Sequence, residues 1–159
     1  MSGRSAWRLG LKALHEVASI GYGGALAACL VINLTASRMT AADYAAARQL
    51  FAAIAQVVLV PSMAVVVVSG LLALAATRGY HDAGWAWLKA LLGLSVFEAT
   101  LIVVGAGQRQ ADLLAAAAEP VVRDALLRSE RNTLWLLIAL SAANVALAVW
   151  RPRLTVKVR

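Results

Sequence analysis

Long apolar stretches alternate with short polar ones along this chain, and the apolar stretches are too long for strands. "VVLVPSMAVVVVSGLLALAA" carries no charge, and "WAWLKALLGLSVFEATLIVVGAG" and "TLWLLIALSAANVALAVW" are nearly as apolar. A helix needs about 20 apolar residues to cross a bilayer core, whereas barrel strands are alternating segments of about ten. The pattern therefore predicts helices over residues 13–35, 50–76, 85–107 and 133–150. The expected fold class is all-α: an integral membrane four-helix bundle, one transmembrane domain over residues 1–159.

The third connection, "QRQADLLAAAAEPVVRDALLRSERN", is rich in Ala, Leu and charges of both signs. It predicts an extramembrane helical hairpin over about 108–131. Helix three continues to Pro120, where a missing N–H interrupts it, and a second short helix leads into the last span. The hairpin reads either as a solvated element or as a docking surface for a partner protein.

Composition agrees with a bilayer as the solvent. Hydrophobic residues make up 62% of the 159 positions and charged residues 14%, against about 45–50% and about 25% in soluble domains. The net charge of +7 would suggest nucleic acid in a soluble protein. Here the basic residues flank apolar runs, so they read as orientation signals, and no nucleic-acid partner is expected. Arg4, Arg8, Lys12, Arg78, Lys89, Arg151, Arg153, Lys157 and Arg159 fall on one side, nine against six on the other. The six are Arg38, Arg48, Arg109, Arg123, Arg128 and Arg131, the last four accompanied by Asp112, Glu119, Asp124 and Glu130. The bias places both termini in the cytoplasm, with the chain in a bacterial inner membrane in contact with lipid. Trp85, Trp87, Trp135 and Trp150 sit near span ends, where interfacial anchors belong.

Function is carried by polar groups inside the spans, because such groups are costly in lipid and normally face the bundle interior. At 100° per residue, His15, Ser19, Tyr22, Leu26, Cys29 and Asn33 fall close to one line on the first helix. This stripe should face neighbouring helices. Glu16 lies to the side and is placed to pair with Lys12, four residues earlier. Ser19, Gly23 and Ala27 form a small-xxx-small series that suits close helix approach. Two readings follow: a packing seam, or space beside His15 for a flat cofactor with the imidazole as axial ligand. Lys89 reads as a snorkelling interfacial residue or as a second polar group at the depth of His15. Glu98 lies deep in the third span, either protonated and hydrogen-bonded to Tyr22, Gln56 or Asn144, or relaying protons or cations. Pro61 is expected to kink the second span, with Ser69 and Gly70 toward its far end. "LAAC" at 26–29 matches a lipoprotein cleavage box, but apolar "LVIN" continues beyond Cys29, so lipidation is not expected. The single cysteine excludes an internal disulfide framework, and the chain carries no phosphate-binding Gly loop, nucleophile elbow or zincin motif. No enzyme class is legible.

"LKALHEVASIGYGG", "VPSMAVVVVSGLLAL" and "GYHDAGWAWLKALLGLSVFEA" together resemble an uncharacterised family of bacterial four-span integral membrane proteins, the domain-of-unknown-function 2269 group, over residues 11–118. More distantly the chain resembles the haem-associated membrane protoporphyrinogen oxidases and the copper-resistance membrane proteins. In the former, a His early in the first span and a Lys opening a later span are important, and His15 and Lys89 occupy comparable places. The sequence departs from both, lacking an aromatic, Arg-rich end to span one and additional histidines. The resemblance implies a redox-associated protein binding haem b between helices. His15 would be the axial ligand to iron, and Lys89 a second ligand or propionate partner. Gly23 and Gly70 would give the macrocycle room, with Ser19 and Tyr22 beside it and Glu98 and Glu16 as tuning or proton-handling groups. The alternative is a cofactor-free accessory subunit of a larger membrane complex, or a homo-oligomer, packed through its small-residue seams. A small transporter using Pro61 and Glu98 is a third reading.

Overall fold

A computed structural model describes residues 3–77, 83–116 and 120–150, with side chains described for 6–40, 42–77, 83–105, 121 and 123–150. Arg4, Arg78, His81, Arg109, Asp112, Glu119 and the basic residues after Trp150 lie outside the described side chains. Helix α1 runs Gly3–Ala36, α2 Ala41–Ile54, α3 Val60–Ala76, α4 Gly84–Ala116 and α5 Pro120–Trp150. A π turn, Ala55–Leu59, joins α2 to α3 into one long element. Four stretches are long and apolar enough to cross a membrane: Ala6–Ala36, Ala42–Ala76, Gly84–Gly105 and Arg123–Trp150. The protein is thus an all-α, membrane-spanning four-helix bundle.

Each span packs on its neighbours in sequence, and α5 returns to α1, closing an up-down-up-down ring. The core is built from Leu26, Cys29, Phe51, Leu59, Met63, Val96, Leu134 and Leu137, all buried. Ile20, Val31, Val57, Val68, Ile102 and Val145 face outward, giving the apolar exterior that lipid contact requires. Trp87, Trp135 and Trp150 are also exposed.

Three local features bear on the sequence reading. Pro61 cannot donate a backbone hydrogen bond, and its ring collides with the carbonyl four residues back in a regular helix. The preceding turn widens instead: the Val60 N–H reaches the Ala55 carbonyl, five residues back. The helix absorbs the proline as a π turn and continues. Next, Pro120 opens α5, which then runs unbroken to Trp150 with no separate short helix before the last span. Proline suits a first helical turn because that N–H has no intrahelical partner. Finally, Ser19, Gly23 and Ala27 all face outward rather than forming a seam inside the bundle. Close approach of α1 to α3 occurs at Gly21, where a Cβ would stand 2.9 Å from Ser62 Oγ.

Candidate functional site

Polar groups concentrate at the two ends of the bundle, with a small bridge between. At the end carrying the N-terminus, His15 is half-buried against α3, and its Nδ1 lies 2.8 Å from Ser69 Oγ. The serine hydroxyl has one proton, which it donates to the Val65 carbonyl at 2.6 Å. With that proton on Val65, the oxygen accepts from His15 in its Nδ1–H tautomer, which leaves the lone pair on Nε2. Gly70 lies under the ring, where an added Cβ would be 3.7 Å from His15 Cε1. Lys89 is within electrostatic range of the imidazole, and its carbonyl accepts from Asn144 Nδ2 at 3.4 Å. The fold thus brings His15, Ser69 and Gly70 to one place.

The remaining predicted site residues go elsewhere. Ser19 is exposed and donates to the His15 carbonyl at 2.7 Å, so it braces the helix backbone. Gly23 is exposed, with nothing within 4 Å of an added Cβ. Glu16 is exposed and sits 3.7 Å from Lys12. Tyr22 is buried at mid-bundle, 3.3 Å from Thr100 Oγ1. Since Thr100 donates its own proton to the Val96 carbonyl at 2.7 Å, Tyr22 is the donor.

Glu98 differs most from its expected place. It is on the outward face of α4, with no hydrogen-bond or ion-pair partner among the described residues. None of the three groups expected beside it supplies a contact: Tyr22 donates to Thr100, Asn144 to Lys89, and Gln56 is exposed. Its helical phase decides this. Val96, Thr100 and Val103 define the buried line of α4, leaving position 98 outside.

Sequence reading missed the densest polar network, at the opposite end. Arg48 makes a bidentate pair with Glu130, both N···O distances 2.8 Å. Only 12% of the Arg48 side chain and 6% of the Glu130 side chain are exposed. Asn33 Nδ2 donates to Glu130 Oε2 at 2.7 Å and to the Leu127 carbonyl at 3.1 Å. The Arg48 guanidinium also lies 4.5 Å from the Phe51 ring centroid, a cation–π contact. Both charged residues fall in segments that read as solvated flanks. The available signal was the buried phase of Asn33 on the α1 stripe, which demands a polar partner.

The fold and these centres define a small multi-span membrane protein whose helices are tied by polar contacts toward both ends of the bundle. Comparison with protein-family models, curated proteins and solved structures finds no match. Among the described residues, no three His, Cys, Asp or Glu side chains group as a metal site.

Proposed function

We propose that this protein is a cofactor-free accessory subunit of a bacterial inner membrane, with both termini cytoplasmic, that docks onto another membrane protein through the outer face of α4. The observation that carries this reading is the outward Glu98. Ten residues, about 15 Å at 1.5 Å per residue, separate it from Gln108, where the polar sequence resumes after its apolar run. A carboxylate at that depth is expensive against hydrocarbon and normally pairs within protein. Leu91, Leu94, Ser95, Leu101 and Ile102 share its exposed face, an apolar stripe around a polar centre. The matching occupant is a transmembrane helix of a different protein with a basic or amide side chain at that depth. A parallel two-fold pairing of identical chains would instead bring two Glu98 carboxyls together. The outward Ser19, Gly23 and Ala27 series offers a second close-approach face on the other side of the bundle.

A photo-crosslinking residue at Leu94, in cells, tests this. The expected product joins α4 to a membrane segment bearing Lys, Arg, His, Asn or Gln, and Glu98→Leu abolishes it while the purified variant stays helical. A crosslink only to a second copy, or one indifferent to Glu98→Leu, overturns the proposal.

One observation favours a second reading, haem b at His15. The Ser69 contact directs Nδ1–H away and leaves Nε2 as a lone-pair donor, the arrangement that ligating histidines generally show. Lys89 would serve as second ligand or propionate partner, and the group would supply electron transfer. On that second reading a sharp b-type absorption band appears on reduction, lost in His15→Ala and weakened in Ser69→Ala. A colourless, folded protein from haem-replete cells would sink this reading and leave the accessory role intact.

A further inference from the structure

A cleft of about 200 Å³ opens at the Asn33 end of the bundle, between the end of α1 and the first turns of α5. Its walls are Asn33, Ser37, Asp124, Leu127, Arg128 and Arg131. This is well above the roughly 10–15 Å³ that admits a single water. Ser37 immediately follows the first span, and Asp124, Arg128 and Arg131 precede the apolar run that begins at Thr133, so the cleft lies at the membrane boundary.

Its chemistry is two-sided. Arg128 and Arg131 supply planar cationic donors, the groups best shaped for phosphate oxygens. Asp124 and Arg128 are spaced for an i,i+4 ion pair, yet the described residues form only the Lys12–Glu16 and Arg48–Glu130 pairs. Their charges remain available to a ligand. The acceptor side is stronger than surface charge alone. Asn33 is 1% exposed, and both Nδ2 protons go to acceptors, which fixes the amide orientation. Its Oδ1 is buried without a partner. A buried acceptor left unmade is costly, so it calls for a donor from the cleft.

We infer that the cleft binds a phosphate ester bearing a primary ammonium, the chemistry of an ethanolamine phospholipid headgroup. The phosphate lies against Arg128 and Arg131. The ammonium donates to Asp124 and Asn33, and the connecting carbons cover Leu127. A choline headgroup has no N–H to give, and a glycerol headgroup carries no cation. The site therefore discriminates among lipids of similar size.

Native mass spectrometry of the detergent-purified full chain is the test, with dioleoyl phosphatidylethanolamine, phosphatidylcholine and phosphatidylglycerol at matched concentrations. The ethanolamine lipid is expected to bind roughly tenfold more tightly than the choline lipid, the factor that one charge-assisted hydrogen bond supplies. Asp124→Asn should remove that preference, and Arg128→Gln with Arg131→Gln should weaken ethanolamine and glycerol lipids alike. Both sets of positions lie at the cleft wall rather than in the core, so the variants should retain helicity. Soluble O-phosphoethanolamine separates the sources: competition with the lipid at equal concentration assigns the site to the free ester, and failure to compete assigns it to the membrane. Equal binding of all three lipids by the wild type, or an ethanolamine preference that survives Asp124→Asn, overturns the inference.

Discussion

Glu130→Ala should be the most damaging single substitution in this protein. The Arg48 guanidinium would lose both its 2.8 Å contacts while remaining largely buried. The Asn33 amide would lose its 2.7 Å acceptor at the same time. Removing one member of a buried pair typically costs about 3–5 kcal/mol, because the remaining charge is stranded. In a bilayer the partly unfolded chain also finds polar partners, which moves the value toward the lower end. The measurement is equilibrium unfolding in mixed micelles with a denaturing detergent, compared with wild type. Arg48→Met combined with Glu130→Leu should recover most of the loss, since an apolar pair of similar volume has no desolvation to offset. A Glu130→Ala protein within about 0.5 kcal/mol of wild type, the range of ordinary surface changes, would mean the pair is hydrated and not structural.

Gly21→Val should have the next largest effect, and it is local in origin. The Cβ alone would approach Ser62 Oγ to 2.9 Å, and the branched methyls would wedge α1 from α3. Overpacking of this kind costs about 1–3 kcal/mol. Ser62→Ala in the same chain should return part of it, because the nearest atom is then gone and Ser62 Cβ stands at 3.7 Å. Gly23→Val is the control. It faces open space, so the isolated bundle should tolerate it in the same detergent titration. Equal losses at positions 21 and 23 would show that glycine acts through helix flexibility and not through this crossing.

These expectations separate the two kinds of small-residue signal in the first helix. Gly21, Gly23 and Gly24 crowd one turn, and sequence spacing favours the Ser19–Gly23–Ala27 series as the seam. Only the rotation of α1 within the bundle distinguishes them. That rotation follows the larger buried side chains: Tyr22, Leu26, Cys29 and Asn33 turn inward and carry Gly21 to the α3 crossing. The exposed glycines become available to partners instead.

Apolar run length alone determined the four spans, because a bilayer forces each crossing segment to be helical and about 20 residues long. The phase of the α1 stripe was also legible, since one helix at 3.6 residues per turn fixes which of its side chains share a face. Its Ser19 nevertheless faces outward, satisfied by the His15 carbonyl and not by a neighbouring helix. Pairing between helices was not legible, because periodicity within one helix carries no information about the rotation of the next. That is why Glu98, deep in its span, turned outward, while Arg48 and Glu130, 82 positions apart near span ends, met inside. It is also why His15 found Ser69 and Gly70 rather than Gly23. Sequence fixes the cost of each polar group in the membrane, and only the packed bundle assigns the partner that offsets it.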